Sequence, residues 1–178
     1  MSETIGIVQL GPTVNYPVQK LRDKVAPRFP SYQVKGLEPM DMPVMAFDSF
    51  RNQYHSTRIL VALEENIRAT GTEHLLGVVP FDLFVPGMNF VFGEARCPGR
   101  AALISTYRLK AKASDEPDLF ESRVVKEAVH EIGHMLGMKH CPKPTCAMYF
   151  SERLADTDRK TDNFCSECEP KMKWLEVG

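Results

Sequence analysis

His130-Glu131-Ile132-Gly133-His134-Met135-Leu136-Gly137-Met138-Lys139-His140 carries three imidazoles and one carboxylate at a spacing that suits a single metal ion with a base beside it. A helix turns about 100° per residue. On that wheel Val124, Val125, Ala128, Val129, Ile132, Met135 and Leu136 share a stripe roughly 140° wide, the face expected to meet a core. His130 and His134 fall nearly opposite, one turn apart, where both rings can reach the same ion. Glu131 lies between the histidine face and the stripe. Gly137 is suited to end the helix in a left-handed turn and bring His140 back toward the metal. Three neutral imidazoles leave a fourth position open, the mark of a catalytic rather than a structural zinc. Glu131 is then the expected general base.

A second ligand set follows at once. Cys141 and Cys146 enclose Pro142-Lys143-Pro144-Thr145, and Cys165 and Cys168 are separated by two residues. Two such short knuckles suit a tetrahedral four-thiolate zinc. Neighbouring residues in extended backbone point oppositely, so His140 and Cys141 can serve two ions back to back. Lys139, Lys143, Lys171 and Lys173 are candidates to offset the thiolate charge. Buried free thiols or a redox pair at Cys165 and Cys168 are the plainer alternatives, the latter requiring a strand-to-helix setting. Cys97 is left over in a Pro-Gly turn and reads as a free thiol; His55 and His74 read as ordinary polar residues.

The rest of the chain frames these motifs. Ile5–Leu10, Tyr32–Gly36 and Leu75–Val79 read as strands, with Pro39–Met45 irregular between them. Val14–Val25 has helical spacing, and a helix capped by Ser56 should run to Gly71. Asn89–Phe92 and Ala101–Tyr107 look like a strand pair around Cys97-Pro98-Gly99. Ser114-Asp115-Glu116 with Pro117 fits a capped entry to the long metal-binding helix. The expected fold class is α+β (mixed α/β): a twisted mixed sheet, a long active-site helix and a zinc-bound C-terminal part. Residues 1–178 are expected to form a single domain, with the structural zinc held within 141–168.

Composition excludes several function classes. With 22 basic and 23 acidic residues, the chain has no field to recruit nucleic acid or an anionic membrane. Leu75–Phe92 is broken by Pro80, Asp82, Pro86 and Asn89 and does not read as a membrane span. The N-terminus lacks a basic segment followed by an apolar one, so the cytoplasm is the expected compartment. Five cysteines there argue for thiolate ligands over disulfides. No large hydrophobic helix marks a dimer seam, which makes a monomer the expectation.

The run from His130 to His140, followed by Cys141, Cys146, Met148, Cys165 and Cys168, resembles the archaemetzincins, a branch of the metzincin zinc peptidases. The resemblance implies that His130, His134 and His140 bind catalytic zinc, that Glu131 is the base and that the four cysteines bind a second zinc. It also implies that Met148 forms a hydrophobic floor beneath the histidines, and that the fold is a compact domain with a cleft across the front. The expected function is a zinc-dependent peptidase acting on a peptide aligned with an exposed sheet edge, Asn89–Phe92 or Ala101–Tyr107. Tyr107 and Tyr149 are candidate oxyanion donors, although a packed tyrosine is the simpler reading at both. The alternative is a non-catalytic, zinc-stabilised peptide-binding module on a peptidase fold.

Overall fold

A central sheet is laid down by apolar runs too continuous to face water. In the computed structural model, which describes residues 2–12, 15–110 and 116–177, it has the order β2-β1-β5-β8-β7. Strand β1 is Thr4–Gln9, β2 Gln33–Gly36, β5 His74–Val79, β7 Gly93–Ala95 and β8 Ala101–Ser105. The first four in spatial order run parallel, and β7 closes one edge antiparallel to β8, pairing Glu94 with Leu103. Side chains alternate between two buried faces, as a parallel sheet covered on both sides requires. Ile5, Ile7, Leu76, Val78, Ala102 and Ile104 enter one core cluster. Val8, Leu10, Leu75, Val79, Ala101 and Leu103 enter the other.

Helices cover each face. Helix α1 (Val18–Val25) and helix α3 (Pro117–Met135) pack on the first, and α2 (Ser56–Thr70) on the second. The expected start of α1 at Val14 lies outside the described residues. So do Ser114 and Asp115, expected to cap α3; Glu116 occupies the cap position and makes no side-chain capping bond. Ser56 is not a cap either. His55 takes that position, while the buried Ser56 hydroxyl turns inward to the Phe84 carbonyl and the Glu94 carboxylate. Gly71, with φ +66°, closes α2 as expected.

Two expectations change. Asn89–Phe92 is not the edge strand. Asn89 O accepts from Gln53 at 3.0 Å and from Arg51 at 3.1 Å. Val91 bridges elsewhere, its N donating to Leu83 O at 3.0 Å, while Phe92 O accepts from Ser105 N at 2.8 Å. Regular pairing with β8 therefore begins at Gly93. Ala101–Tyr107, shortened to β8, is an inner strand buried along its whole length and offers no free edge. A small sheet, unforeseen, adds β3 (Phe47–Asp48), β4 (Gln53–His55) and β6 (Leu83–Phe84) in the order β3-β4-β6.

After α3 the chain is mostly irregular, interrupted by α4 (Leu154–Arg159) and closed by α5 (Glu169–Val177). Cross-bonds hold it: Cys141 N to Met148 O, Ala147 N to Asn163 O and Thr161 N to Thr145 O, each 2.9 Å. Among the described residues no helix is long and apolar enough to cross a membrane.

Candidate metal centres and catalytic cleft

Helix α3 is not a surface helix with its histidines in water. His130 is 4% exposed and Glu131 5%, although the wheel puts them away from the core stripe. The segment Ala147–Met148 folds over that face and buries it. Its approach depends on Gly133, where a Cβ would come within 2.5 Å of Met148 Sδ. Met148 is itself fully buried, beneath the histidine-bearing turn.

That cover also fixes the rings. His130 Nδ1 lies 2.8 Å from Ala147 O, and His134 Nδ1 2.7 Å from Met138 O. A carbonyl only accepts, so both Nδ1 atoms carry the proton and both Nε2 atoms keep a lone pair. Those Nε2 atoms are 3.1 Å apart. Two nitrogens on one tetrahedral zinc, at about 2.0–2.1 Å each, would be about 3.3 Å apart. His140 completes the set, its ring centroid 4.6 Å from that of His134 and 5.5 Å from that of His130. All three ligand atoms lie within 4.8 Å of one another.

The turn that delivers His140 is a Schellman closure. Gly137 N donates to His134 O and Met138 N to Gly133 O, both at 2.9 Å, with Gly137 at φ +109°. Burial lowers the proton affinity of all three imidazoles, that of His134 down to about 4. Neutral rings are what a metal needs. Burial pushes Glu131 the other way, well above the usual carboxylate range, with Glu127 one turn back adding repulsion. Edge strand β7 touches this carboxylate, since a Cβ at Gly93 would lie 2.8 Å from Glu131 Oε1.

The four cysteine sulfurs also converge within 4.8 Å, and all are free thiols. Cys141 Sγ and Cys165 Sγ are 3.8 Å apart. That is far beyond the roughly 2.05 Å of a disulfide and equals the separation of about 3.8 Å expected for two sulfurs on a tetrahedral zinc at about 2.3 Å. Cys141 is buried and His140 exposed, so the adjoining side chains do diverge to two clusters. Burial opposes the Cys165 thiolate, yet N–H donors from Glu167 and Cys168 and the neighbouring thiols bring it down to about 7. The expected lysine counter-charge is mostly engaged elsewhere. Lys143 pairs with Glu167 at 3.0 Å and Lys173 with Glu169 at 2.8 Å, while Lys139 reaches Cys97 Sγ at 3.6 Å.

Cys97 is free, as expected, but not remote from the histidines. Its thiol donates to Met138 O at 3.3 Å, the same carbonyl that holds His134. Tyr107 is 57% exposed, and neither it nor Tyr149 lines the cavity beside His130 and Glu131. His74 pairs with Glu3 at 3.0 Å, and the His55 ring lies against Phe84, as structural residues.

One feature had no signal in the sequence. Lys160, 1% exposed, forms a buried ion pair of 2.9 Å with Glu127, itself 2% exposed. Glu127 sits one turn before Glu131, a spacing that marks it as a neighbour of the site; nothing local marks Lys160.

Residues 41–174 match Peptidase family M54. The chain is 44% identical to the archaemetzincin of Methanopyrus kandleri over 129 residues, covering 71% of this chain and 70% of that protein. It is 43% identical to the archaemetzincin of Archaeoglobus fulgidus over 148 residues, 83% of this chain and 86% of that one. In three dimensions it superposes on the crystal structure of the Methanopyrus kandleri archaemetzincin with a TM-score of 0.86, at 34% identity, covering 99% of this chain and 96% of that one.

Proposed function

Because the chain belongs to Peptidase family M54, the archaemetzincins, and is by that membership a zinc metallopeptidase, we propose that it hydrolyses peptide bonds with Glu131 as general base. His130, His134 and His140 hold the catalytic zinc in this reading, and Cys141, Cys146, Cys165 and Cys168 hold a second, structural zinc. The carrying observation is the pair of Nε2 lone pairs 3.1 Å apart, each ring committed through Nδ1 to a backbone carbonyl, with Glu131 on the same turn of helix. When bound, zinc supplies Lewis acidity, polarising the scissile carbonyl and bringing the pKa of its water to about 7.

The chain's own groups do the rest. Glu131 accepts the proton of the attacking water at a carboxylate oxygen and delivers it to the leaving amine. Its near-complete burial keeps bulk water from competing for that proton. The outer edge of β7, beside Glu131 and without a neighbouring strand among the described residues, offers main-chain groups for an extended substrate. Met148 and the carbonyls of Ala147 and Met138 keep the imidazoles from turning.

The test is Glu131→Gln in zinc-loaded protein, assayed on a proteome-derived peptide library by mass spectrometry. Retained zinc with turnover reduced about 10²–10⁴-fold is expected for loss of a general base. Unchanged cleavage by the variant would reject the assignment. Peptide binding without hydrolysis by the wild-type protein, with both metals present, would favour a binding module instead.

A further inference from the structure

A cavity of about 290 Å³ opens beside His130. Its walls combine three phenylalanines, Phe90, Phe92 and Phe150, with three carboxylates, Glu127, Glu131 and Glu152, and include no lysine or arginine. We propose that this cavity is a subsite for a basic side chain of the substrate, arginine or lysine, on a residue flanking the scissile bond. The proposal rests on the peptidase reading above.

The walls suit both ends of such a side chain. Phe90 and Phe92 meet edge to face, their centroids 5.2 Å apart, and offer apolar cover for a methylene stem. Aromatic faces also attract a guanidinium. Phe90 already carries one: Arg108 stacks on it at 4.2 Å, from outside the cavity and neutralised by a bidentate pair with Asp82. Arg51 likewise stays outside, bonded to the Met88 and Asn89 carbonyls.

The tip of the side chain finds Glu127. Every bond to that carboxylate lands on one oxygen: Oε1 takes Lys160 Nζ at 2.9 Å, Thr157 Oγ1 at 2.9 Å and Ser151 Oγ at 3.5 Å. Oε2 has no hydrogen-bond partner among the described residues, although Glu127 is 2% exposed and forms part of the cavity wall. That oxygen is not sealed off, and a donor entering the cavity can reach it. Glu152 adds a second negative charge at the exposed rim. Lys160 is buried behind Glu127, where it anchors the carboxylate and does not line the cavity. An acidic side chain entering here would face carboxylates; an arginine or lysine would satisfy Oε2.

The experiment compares zinc-loaded enzyme on peptides differing only by arginine or citrulline, and by lysine or norleucine, next to the cleaved bond. The charged member of each pair is expected to show a kcat/KM about tenfold higher or more. Glu127→Gln alone leaves Lys160 uncompensated and can misfold. The double variant Glu127→Gln/Lys160→Met, checked by its melting curve, avoids that, and Glu152→Gln tests the rim. In the double variant the ratio should collapse toward one. Equal rates for arginine and citrulline in the wild type, or an undiminished preference in a folded double variant, overturns the subsite. Calorimetry on zinc-loaded Glu131→Gln separates the two readings. Tighter binding of the arginine peptide without wild-type cleavage sinks the peptidase reading and keeps the subsite. Cleavage with no preference does the reverse, and neither binding nor cleavage sinks both.

Discussion

Burial, near complete at His130 and partial at His134 and His140, favours the neutral imidazole, and this sets a direction for pH. The folded-state proton affinity of His134 is lowered from the usual 6.5 to about 4, chiefly by burial, and those of His130 and His140 are lowered for the same first reason. Between those limits the unfolded chain binds more protons than the folded one. Stability is therefore full above about pH 6.5 and declines as pH falls toward about 4, whereas zinc affinity of the folded chain, in which His134 is already neutral over that window, is lost only as pH nears about 4. A chelator-dye titration of the folded protein should find zinc held by the histidine cluster nearly constant over most of that window and lost near about pH 4; release already well advanced just below pH 6.5 would contradict the lowered proton affinity of the rings. The convergence of His130 and His134 was legible from spacing, because a helix converts a four-residue interval into one face. Lys160 was not. In Asp158-Arg159-Lys160-Thr161-Asp162 it reads as one more solvated charge, and only the packing of the C-terminal segment on α3 shows it fully enclosed beside Glu127.

Elements were readable in proportion to how local their causes are. Strands β1, β5 and β8 announce themselves as apolar runs because both faces of the sheet are covered. Strand β7 starts a few residues later than expected because Val91 bridges to Leu83 instead of β8, while Gln53 and Arg51, 36 and 38 positions earlier, hold the Asn89 carbonyl. Helix α3 has the extent its sequence suggests, and its histidine face, opposite the core stripe on the wheel, is covered in part by Ala147 and Met148. The end of α3 carries a sharp prediction. Gly137 holds φ +109°, a conformation L side chains resist, while the nearest atoms to a Cβ there stand 3.5 Å away or more. Gly137→Ala should therefore act through backbone strain, not collision. About 1–2 kcal/mol lost corresponds to a melting temperature lower by roughly 2–8 °C. The same strain bears on Met138 O, the acceptor for His134 Nδ1, so zinc affinity at the histidines should fall as well. An unaltered melt and an unaltered zinc titration would show that the turn does not position the third ligand.

Across the whole molecule the two clusters are joined by one peptide bond, His140 to Cys141, and the coupling between them should be lopsided. The four thiols lie in a segment with little regular structure, held by a few cross-bonds such as Ala147 N to Asn163 O and Thr161 N to Thr145 O. Metal at a four-cysteine site contributes about 10–16 kcal/mol in small peptides, as much as the roughly 5–15 kcal/mol that stabilises an entire domain. Without it, residues 141–168 keep their core contacts through Ala147 and Met148 and the pairs of Lys160 with Glu127 and Asp158 with Arg123, but nothing comparable among the described residues ties Cys141 to Cys165 and Cys168. The histidine cluster has a different foundation, since His130 and His134 stand on a helix packed against the central sheet by Ala128, Val129 and Ile132. Cys146→Ser should accordingly abolish thiolate-bound zinc, weaken zinc at the histidines through the displaced His140, and expose the amides of residues 141–168 to exchange. His134→Ala should remove only the histidine-bound zinc and leave the cysteine cluster and its exchange protection intact. Elemental analysis with hydrogen exchange on both variants decides the matter: equal loss of metal from each, or a Cys146→Ser protein whose histidine site binds zinc as tightly as before, would mean that the thiolate cluster does not support the catalytic ligand it adjoins.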